Sequence, residues 1–282
     1  MWQQGHRDLT MPRVPGHEIG AVDEQTGALY TIWPGQSCGK CRYCRDNREN
    51  LCDEIKIIGF HSDGGFSSQI SVPKNCLIPV EHDIAPQLLC FAEPVGCVLN
   101  ALSAARIQEG ETIIIYGGGV IGMIAALVCQ NLGAVPLVIE NNEEKITRLQ
   151  AFSTETGIII CKDTRASDFD LAINTCNSPA ALGLCITKLC KGGRLCYFSG
   201  LQKNSSMDSN LLNLIHYKEL QIIGSYGPKR EHMVAALVFI AKQYAKLSLL
   251  IEKIITPEDV PGLMQDVLSA RPLKYIINFQ EQ

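Results

Sequence analysis

Four cysteines fall within one fifteen-residue segment of this 282-residue chain. They are Cys38, Cys41, Cys44 and Cys52, and the short C-x2-C steps let a turning backbone point successive sulfur atoms toward one ion. Tetrahedral zinc binds four thiolates in this way, and Gly39 permits the tight turn. The alternative, four unrelated free thiols in a loop, would create an oxidation hazard. The spacing therefore predicts a structural zinc site in which protein ligands fill every position.

A glycine-rich turn, GGGVIG at 117–122, follows a β-branched run at 112–116 and opens an apolar stretch at 120–132. In the pattern G-x-G-x-x-G, the first glycine permits the turn, and the second lets the backbone approach a pyrophosphate. The third lets the helix pack on the strand. The helix N-terminus then offers amide donors to phosphates. The predicted cofactor-binding residues are Gly117, Gly119, Val120, Ile121 and Gly122.

An acid, Glu140, closes the second strand of this predicted unit. Such an acid binds the ribose hydroxyls of a dinucleotide, and Asn141 and Asn142 follow it with no arginine to accept a 2′-phosphate. The sequence therefore favours NAD over NADP. The alternative is an ordinary exposed acid at a strand end.

The segments that must position these residues change in character along the chain. Residues 1 to about 100 combine short apolar runs with many turn residues, which predicts irregular β structure. From about 103, strands alternate with helices, which predicts βαβ units and a parallel sheet covered on both faces. The helices are predicted at 120–132, 143–152 and 179–189. The strands of this region are predicted at 112–116, 136–139, 157–161, 171–175, 194–198 and 221–224.

The C-terminal part begins with a helix of about 15 residues from Arg230 and a strand at 251–255. Thr256 is a good N-cap for the next helix, and a last strand is predicted at 274–279. We expect this tail to return to the first lobe. The predicted domains are a catalytic domain at 1–102, a dinucleotide-binding domain at 103–244 and the returning segment at 245–282.

Composition and charge narrow the class of protein. The net charge of −4 argues against a nucleic-acid or anionic-membrane surface. The longest apolar stretches that stand out, 121–129 and 233–241, are too short to span a bilayer, and the N-terminus lacks the apolar core of a signal peptide. We expect a cytoplasmic protein with a small-molecule partner, no nucleic acid and no membrane.

Several motifs stand in one order along the chain: PGHE at 15–18, DGGF at 63–66, Glu93-Pro94 and GSY at 224–226. Together with the cysteine loop and the glycine turn, they resemble the zinc-dependent medium-chain dehydrogenases, in the branch of sorbitol, threonine and polyol dehydrogenases. The resemblance implies an α/β fold, with a Rossmann doubly wound parallel sheet and a partial GroES-like β-barrel catalytic lobe. It also implies pairing of chains into a homodimer or homotetramer.

The resemblance further implies a catalytic zinc with one open position, which polarises the substrate oxygen while hydride passes to NAD. His17 matches the family's histidine ligand, Glu18 its acidic neighbour and Glu93 a later ligand position. Ser199 would line the nicotinamide pocket, and Lys274 would face the cofactor phosphates, although a solvated strand-end lysine is an equal alternative. Taken alone, His17 and Glu93 would be unremarkable residues.

The chain departs from the family pattern at its start. The family's first zinc ligand is a cysteine well before Gly-His-Glu, but here nothing precedes Met1-Trp2 and the first cysteine is Cys38. We expect an N-terminally truncated chain whose catalytic zinc site is incomplete. Cys97, one helical turn after Glu93, is expected to line the helix near the nicotinamide or simply to pack.

The predicted function is the NAD-dependent interconversion of a secondary alcohol or polyol and a ketone by hydride transfer, with zinc as the Lewis acid. One alternative is a non-catalytic remnant that binds NAD and the structural zinc. Another is the zinc-free quinone reductase branch, which the cysteine loop disfavours.

Overall fold

The computed structural model describes residues 9, 11–201, 203–269 and 271–279. These residues form two compact units. The first contains the described residues up to Cys97, then Gly227–Gln265 and the described residues from Tyr275; the second contains Val98–Tyr226 and Asp266–Lys274. The domain boundaries predicted after residues 102 and 244 fall inside two helices. The predicted division into three domains stays a prediction. The predicted departure from the family pattern at Met1-Trp2 concerns residues outside the described part of the chain.

The described elements are numbered in chain order. The strands are β1 (Gly20–Val22), β2 (Leu29–Ile32), β3 (Gly35–Gln36), β4 (Lys56–Ile57), β5 (Leu77–Pro79), β6 (Thr112–Tyr116), β7 (Val135–Ile139), β8 (Ile159–Cys161), β9 (Phe169–Asn174), β10 (Leu189–Tyr197), β11 (Gln221–Gly224), β12 (Ile251–Ile255) and β13 (Lys274–Ile277). The helices are α1 (Arg42–Arg45), α2 (Ala92–Ala105), α3 (Val120–Asn131), α4 (Glu143–Arg148), α5 (Gln150–Thr156), α6 (Pro179–Lys188), α7 (Ser209–Tyr217), α8 (Arg230–Ser248) and α9 (Val260–Leu268). Short 3-10 helices cover Glu49–Leu51, Lys74–Cys76, Pro86–Phe91 and Pro257–Asp259.

The second unit is built on a six-stranded sheet in the order β11-β10-β9-β6-β7-β8. Every neighbouring pair in it is parallel. The central strand β6 is apolar, and its Ile113, Ile114 and Ile115 are completely buried, as expected for a strand covered on both faces. The predicted α/β class and the doubly wound parallel sheet are confirmed.

The order of this sheet reverses beside β6, since β7 and β9 flank it while the chain passes from β6 to β7 and only later to β9. In such sheets, ligands bind at the carboxyl ends of the strands where the order reverses. The glycine turn at 117–122 lies directly after β6. The fold therefore places this turn at the expected ligand-binding edge.

One predicted helix differs from the structure. The segment predicted as a single helix at 143–152 forms two helices, α4 and α5, which meet at Leu149. Leu149 is completely buried, and its backbone is closer to the bridge region than to the α region. The helix is therefore interrupted at the residue that the tertiary structure buries. The spacing of apolar residues along the sequence does not predict this interruption.

The first unit consists of small antiparallel sheets. Strands β1, β2 and β5 form one sheet, and β3 pairs with β4. Their core contains Ile19, Ile32, Ile58 and Cys76. This arrangement agrees with the predicted irregular β lobe.

The segment Gly227–Gln265 belongs to the first unit and is joined to it by hydrogen bonds to distant backbone. The indole Nε1 of Trp33 donates to the carbonyl of Pro228 at 2.9 Å. The guanidinium of Arg230 donates to the carbonyls of Asn75 and Leu77, each at 3.1 Å. Strands β12 and β13 pair with each other. These contacts fix the beginning of α8 on the β lobe.

Within the described part of the chain, the stretch Pro86–Ala105 is long and apolar enough to cross a membrane by length and composition. This stretch is longer than the apolar stretches at 121–129 and 233–241 that the sequence analysis considered. Most of the stretch is buried inside the protein, and buried core helices meet the same criterion. It therefore does not by itself indicate a membrane span.

Candidate functional site

The cysteine loop brings all four predicted zinc ligands together. Cys38 and Cys41 flank a turn at Gly39, whose φ of +70° favours glycine. The short helix α1 carries Cys44, and the 3-10 helix Glu49–Leu51 delivers Cys52. The four sulfur atoms all lie within 4.8 Å of one another. This is a set of donors that one tetrahedral ion can bind.

Backbone amides already favour the thiolate form in this loop. The amide of Cys41 donates to the sulfur of Cys38 at 3.4 Å, and the amide of Cys38 donates to the sulfur of Cys52 at 3.3 Å. Backbone hydrogen bonds, first that of Cys44, lower the pKa of Cys41 to about 6. Burial raises the pKa of Cys44 to about 12. Backbone hydrogen bonds also lower the pKa of Cys38, whereas burial raises that of Cys52. The loop therefore holds two thiols that ionise more easily than usual and two that need a cation to ionise.

A second group of donors consists of His17, Glu18 and Glu93, whose ligand atoms also lie within 4.8 Å of one another. Glu18 is exposed, whereas Glu93 is buried. The three residues come from two segments separated by more than seventy positions. All three belong to the first unit. The structure thus brings together the residues that the resemblance proposed as a half-site.

His17 is positioned by a close approach of two backbone segments. The amides of Gly64, Gly65 and Phe66 donate to the carbonyls of residues 14, 16 and 15, at 2.8–3.0 Å. A Cβ atom at Gly64 would lie only 2.1 Å from the carbonyl oxygen of Gly16. The DGGF motif at 63–66 is therefore a support for the histidine segment. The sequence analysis used this motif only for its position in the order of motifs. Its role as a support for the segment before His17 is visible only in the structure.

Asp63 completes this support. One oxygen of its carboxylate accepts hydrogen bonds from the amide of Val14 and from the guanidinium of Arg13, each at 3.1 Å. The hydrogen bond from Val14, with the charge of Arg13, lowers the pKa of Asp63. Asp63 therefore stays ionised and holds the chain just before His17.

Glu93 lies in the first turn of α2, directly after the 3-10 helix Pro86–Phe91. Pro94 fits there because the first helical turn has no intrahelical partner for its missing N–H. The thiol of Cys97, one turn later, donates to Oε1 of Glu93 at 3.1 Å. Burial first, then the charge of Glu93, raises the pKa of Cys97 well above its usual value.

The glycine turn of the second unit has the geometry of a phosphate-binding turn. Gly117 has a φ of +113°, and its amide donates to the carbonyl of Ile139 at 2.9 Å. A Cβ atom at Gly122 would lie 1.9 Å from the carbonyl oxygen of Gly117. Gly119 is the N-cap of α3, and a Cβ atom added there would have no protein atom within 4 Å. Val120 and Ile121 begin the helix behind it. Two glycines therefore serve internal packing, and Gly119 leaves room for a ligand.

Glu140 lies against this turn. It is buried, with Oε2 accepting from the amide of Gly118 at 2.9 Å and Oε1 from the amide of Asn142 at 2.9 Å. The amine of Lys145 lies 3.5 Å from Oε2. The alternative of an exposed strand-end acid is wrong, because the tertiary fold encloses this carboxylate.

Thr175 is a part of this site that sequence reasoning missed. Its hydroxyl donates toward the carbonyls of Tyr116 at 2.9 Å and Gly117 at 3.0 Å. Only the neighbouring positions of β6 and β9 in the sheet could have revealed this contact. Thr175 therefore fixes the entry to the glycine turn.

The two remaining predicted cofactor residues lie apart from the turn in sequence. Ser199 follows β10, where its amide donates to the carbonyl of Asn174 at 2.9 Å and its own carbonyl accepts from the Asn174 side chain at 3.0 Å. Ser199 is thus at the carboxyl edge of the same sheet. Lys274 begins β13 and is half-buried. The roles of both residues stay predictions.

Comparisons with known proteins agree with this arrangement. The sequence profile of the alcohol dehydrogenase GroES-like domain matches residues 1–82. An uncharacterized zinc-type alcohol dehydrogenase-like protein of Haemophilus influenzae is 28% identical over 287 residues, which cover 95% of this chain and 82% of that protein. L-threonine 3-dehydrogenase of Xanthomonas campestris is 28% identical over 248 residues, with coverage of 81% and 71%.

Solved structures share the fold. A chain from Sinorhizobium meliloti, bound to NADP in its crystal structure, superimposes with a TM-score of 0.85 at 23% identity, covering 95% of this chain and 84% of that one. The parallel sheet, the GroES-like profile and the dehydrogenase relatives all agree. This chain is therefore similar, over most of its length, to zinc-type dehydrogenases that carry an alcohol dehydrogenase GroES-like domain.

Proposed function

We propose that this chain is a zinc-dependent, NAD-linked oxidoreductase that interconverts a secondary alcohol or polyol and a ketone. The observation that carries this proposal is the convergence of His17, Glu18 and Glu93 to within 4.8 Å, in a chain that also has a dinucleotide-type turn. The names of the relatives, a zinc-type alcohol dehydrogenase-like protein and L-threonine 3-dehydrogenase, support the reaction class.

The donor set of this group fits zinc. It offers an imidazole nitrogen and carboxylate oxygens, which are common ligands of catalytic zinc sites. The buried Glu93 adds a carboxylate of the kind that catalytic zinc sites use as a ligand. When bound, zinc polarises the substrate oxygen and lowers the pKa of the alcohol.

The residues of the chain have distinct roles in this proposal. His17 and Glu93, which lie near the two ends of the N-terminal segment of the first unit, would hold the ion. Glu18 is exposed, so its carboxylate can accept a proton near the site and release it to solvent. The glycine turn and the N-terminus of α3 bind the pyrophosphate of the dinucleotide, with Gly119 as the point of close approach.

The same proposal assigns a structural zinc to Cys38, Cys41, Cys44 and Cys52. The mutual approach of their sulfur atoms and the amide hydrogen bonds to two of them support it. With four protein thiolates, this ion has no position for substrate. Its role is to hold the loop at 38–52 in place.

The proposed cofactor is NAD rather than NADP. The carboxylate of Glu140, held by the amides of Gly118 and Asn142, would hydrogen-bond ribose hydroxyls and repel a 2′-phosphate. Lys145 offsets part of this charge, and the solved structure from Sinorhizobium meliloti contains NADP.

Replacing His17 by alanine is expected to abolish NAD-linked alcohol oxidation, because the ion loses its imidazole ligand. Loss of metal assistance should lower kcat/KM about a thousandfold, equivalent to about 4 kcal/mol. The measurement is NADH formation with a panel of secondary alcohols and polyols. His82→Ala, at an exposed position, is the control. A wild-type chain that binds NAD but oxidises no member of the panel would favour the non-catalytic alternative.

Cys44→Ser is expected to remove one zinc per chain, since three remaining thiols bind the ion poorly. The free energy of unfolding should fall by about 4 kcal/mol at a free zinc concentration a thousandfold above Kd. Metal analysis and chemical denaturation measure the two effects. Cys161→Ser, in the second unit, should change neither value. Unchanged zinc content in Cys44→Ser would contradict the structural site.

Gly119→Ala is expected to leave the fold intact and weaken NAD binding. The added methyl group meets no protein atom within 4 Å but occupies the space of the approaching pyrophosphate. A steric cost of about 1–3 kcal/mol corresponds to roughly a 10–100-fold higher Kd. Calorimetric titration with NAD measures it, and Gly262→Ala in α9 is the control. Equal affinity in Gly119→Ala and wild type would place the dinucleotide elsewhere.

Glu140→Gln is expected to reduce the preference for NAD over NADP by about tenfold or more, because the negative charge near the 2′ position is removed. The amide oxygen of glutamine can still accept one hydrogen bond, so the turn should persist. Kd values for both cofactors give the ratio. Glu143→Gln, on the exposed surface of α4, serves for comparison. A wild type that already prefers NADP would refute the assignment of NAD.

A further inference from the structure

The aromatic ring of Phe60 lies against the imidazole of His17. The two ring centroids are 5.1 Å apart, and the ring planes are tilted by 52° to each other. Aromatic rings in proteins prefer centroid distances of about 4.5–7 Å with offset or tilted planes. The pair is therefore in a favourable contact, and it involves the imidazole of the group formed by His17, Glu18 and Glu93. The sequence analysis gave Phe60 no role.

The surroundings of the His17 ring make this contact important. A histidine that binds a metal ion is usually oriented by a hydrogen bond from its other ring nitrogen to a carboxylate, a carbonyl or water. Among the residues that the structure describes, none forms a hydrogen bond with the His17 ring. Within this part of the chain, the ring of Phe60 is therefore the neighbour that can restrict rotation of the imidazole.

The segment that carries Phe60 is held in place independently of His17. The amides of Phe60 and His61 donate to the carbonyl of Ile57 at 3.1 and 2.8 Å. The amide of Ile57 in turn donates to Nδ1 of His61 at 3.0 Å. Ile58 is completely buried, and its amide donates to the carbonyl of Pro34 at 2.9 Å. Phe60 thus extends from a fixed turn rather than from a free loop.

The backbone on which the two rings stand is also in direct contact. Gly59 has a φ of +84°, and its amide donates to the carbonyl of Ser62 at 2.8 Å. A Cβ atom at Gly59 would lie 2.6 Å from the carbonyl oxygen of Gly16. The residue before Phe60 therefore packs closely on the residue before His17. This approach sets the distance between the two rings.

We propose that Phe60 is a positioning residue for His17, whose imidazole it holds in the orientation that binds the ion together with Glu93. This inference rests on the proposed function, since it concerns the same ion. Phe60 supplies no ligand atom. It acts by restricting the rotation of the imidazole before the ion binds, so that less conformational freedom is lost on binding. All three residues belong to the first unit.

Calorimetric titration of the full chain with zinc tests the proposal, after one equivalent of zinc has filled the cysteine loop. Phe60→Leu keeps an apolar side chain but removes the ring. The Kd of the second zinc should rise about 10–100-fold, the range for loss of a residue that orients a metal ligand. Phe60→Tyr retains the ring and should restore the affinity of the wild type. A purely structural role would lower the free energy of unfolding of Phe60→Leu and leave this Kd unchanged.

Proton NMR of the imidazole gives a second readout that does not depend on the second zinc. In the chain with only the loop zinc, the ring current of Phe60 should shift the His17 ring signals, which His17→Ala identifies by their loss. In Phe60→Leu these signals should move toward the positions of an exposed histidine. Signals at those positions already in the wild type would refute the contact, whatever the variants do.

Tyr244→Leu is the matched control, because it removes an exposed ring from α8 in the same unit and should change neither readout. Retention of the loop zinc in each variant shows that the unit remains folded. An unchanged zinc Kd in Phe60→Leu would refute the positioning role and leave the proposed function intact. A wild type that binds zinc only in the cysteine loop would also refute it. If that wild type oxidises no alcohol in the panel, the proposed function fails as well.

Discussion

The close approach of two backbone segments around Gly16 and Gly64 is the constraint on which the candidate catalytic group depends. A side chain at Gly64 would place its Cβ 2.1 Å from a carbonyl oxygen of the other segment, so only glycine allows the contact. The amide hydrogen bonds from residues 64–66 then fix residues 14–16, directly before His17. Without this support the imidazole would have no defined position relative to Glu93.

The cost of burying charge shapes both candidate sites. Glu140 is buried but satisfied, since two backbone amides donate to its carboxylate and an amine lies 3.5 Å away. Glu93 is also buried, and its surroundings include another carboxylate and a thiol. Like charges and soft donors that converge in this way favour the binding of a cation. The carboxylate of Glu140 is therefore held by protein donors, whereas the acid–histidine group is a set of donors that fits a cation.

The two proposed zinc sites differ in how the chain builds them. The cysteine loop is local: all of its ligands lie between residues 38 and 52, and a few turns with amide hydrogen bonds bring the sulfur atoms together. The other group unites a loop near residue 17 with the first turns of α2. Its formation depends on the folding of the first unit, so we expect metal binding there to report on the integrity of that whole unit.

The sequence by itself determined the features whose parts are close along the chain. The cysteine spacing, the glycine turn and the strand and helix alternation of the second unit are all local patterns, and the α/β class followed from them. The tertiary structure decided what depends on distant segments. It enclosed Glu140, placed Thr175 against the turn, broke the helix at Leu149 and brought Glu93 to His17. The physical reason is that local spacing fixes backbone turns, whereas contacts between distant residues arise only when strand order and core packing bring those segments together.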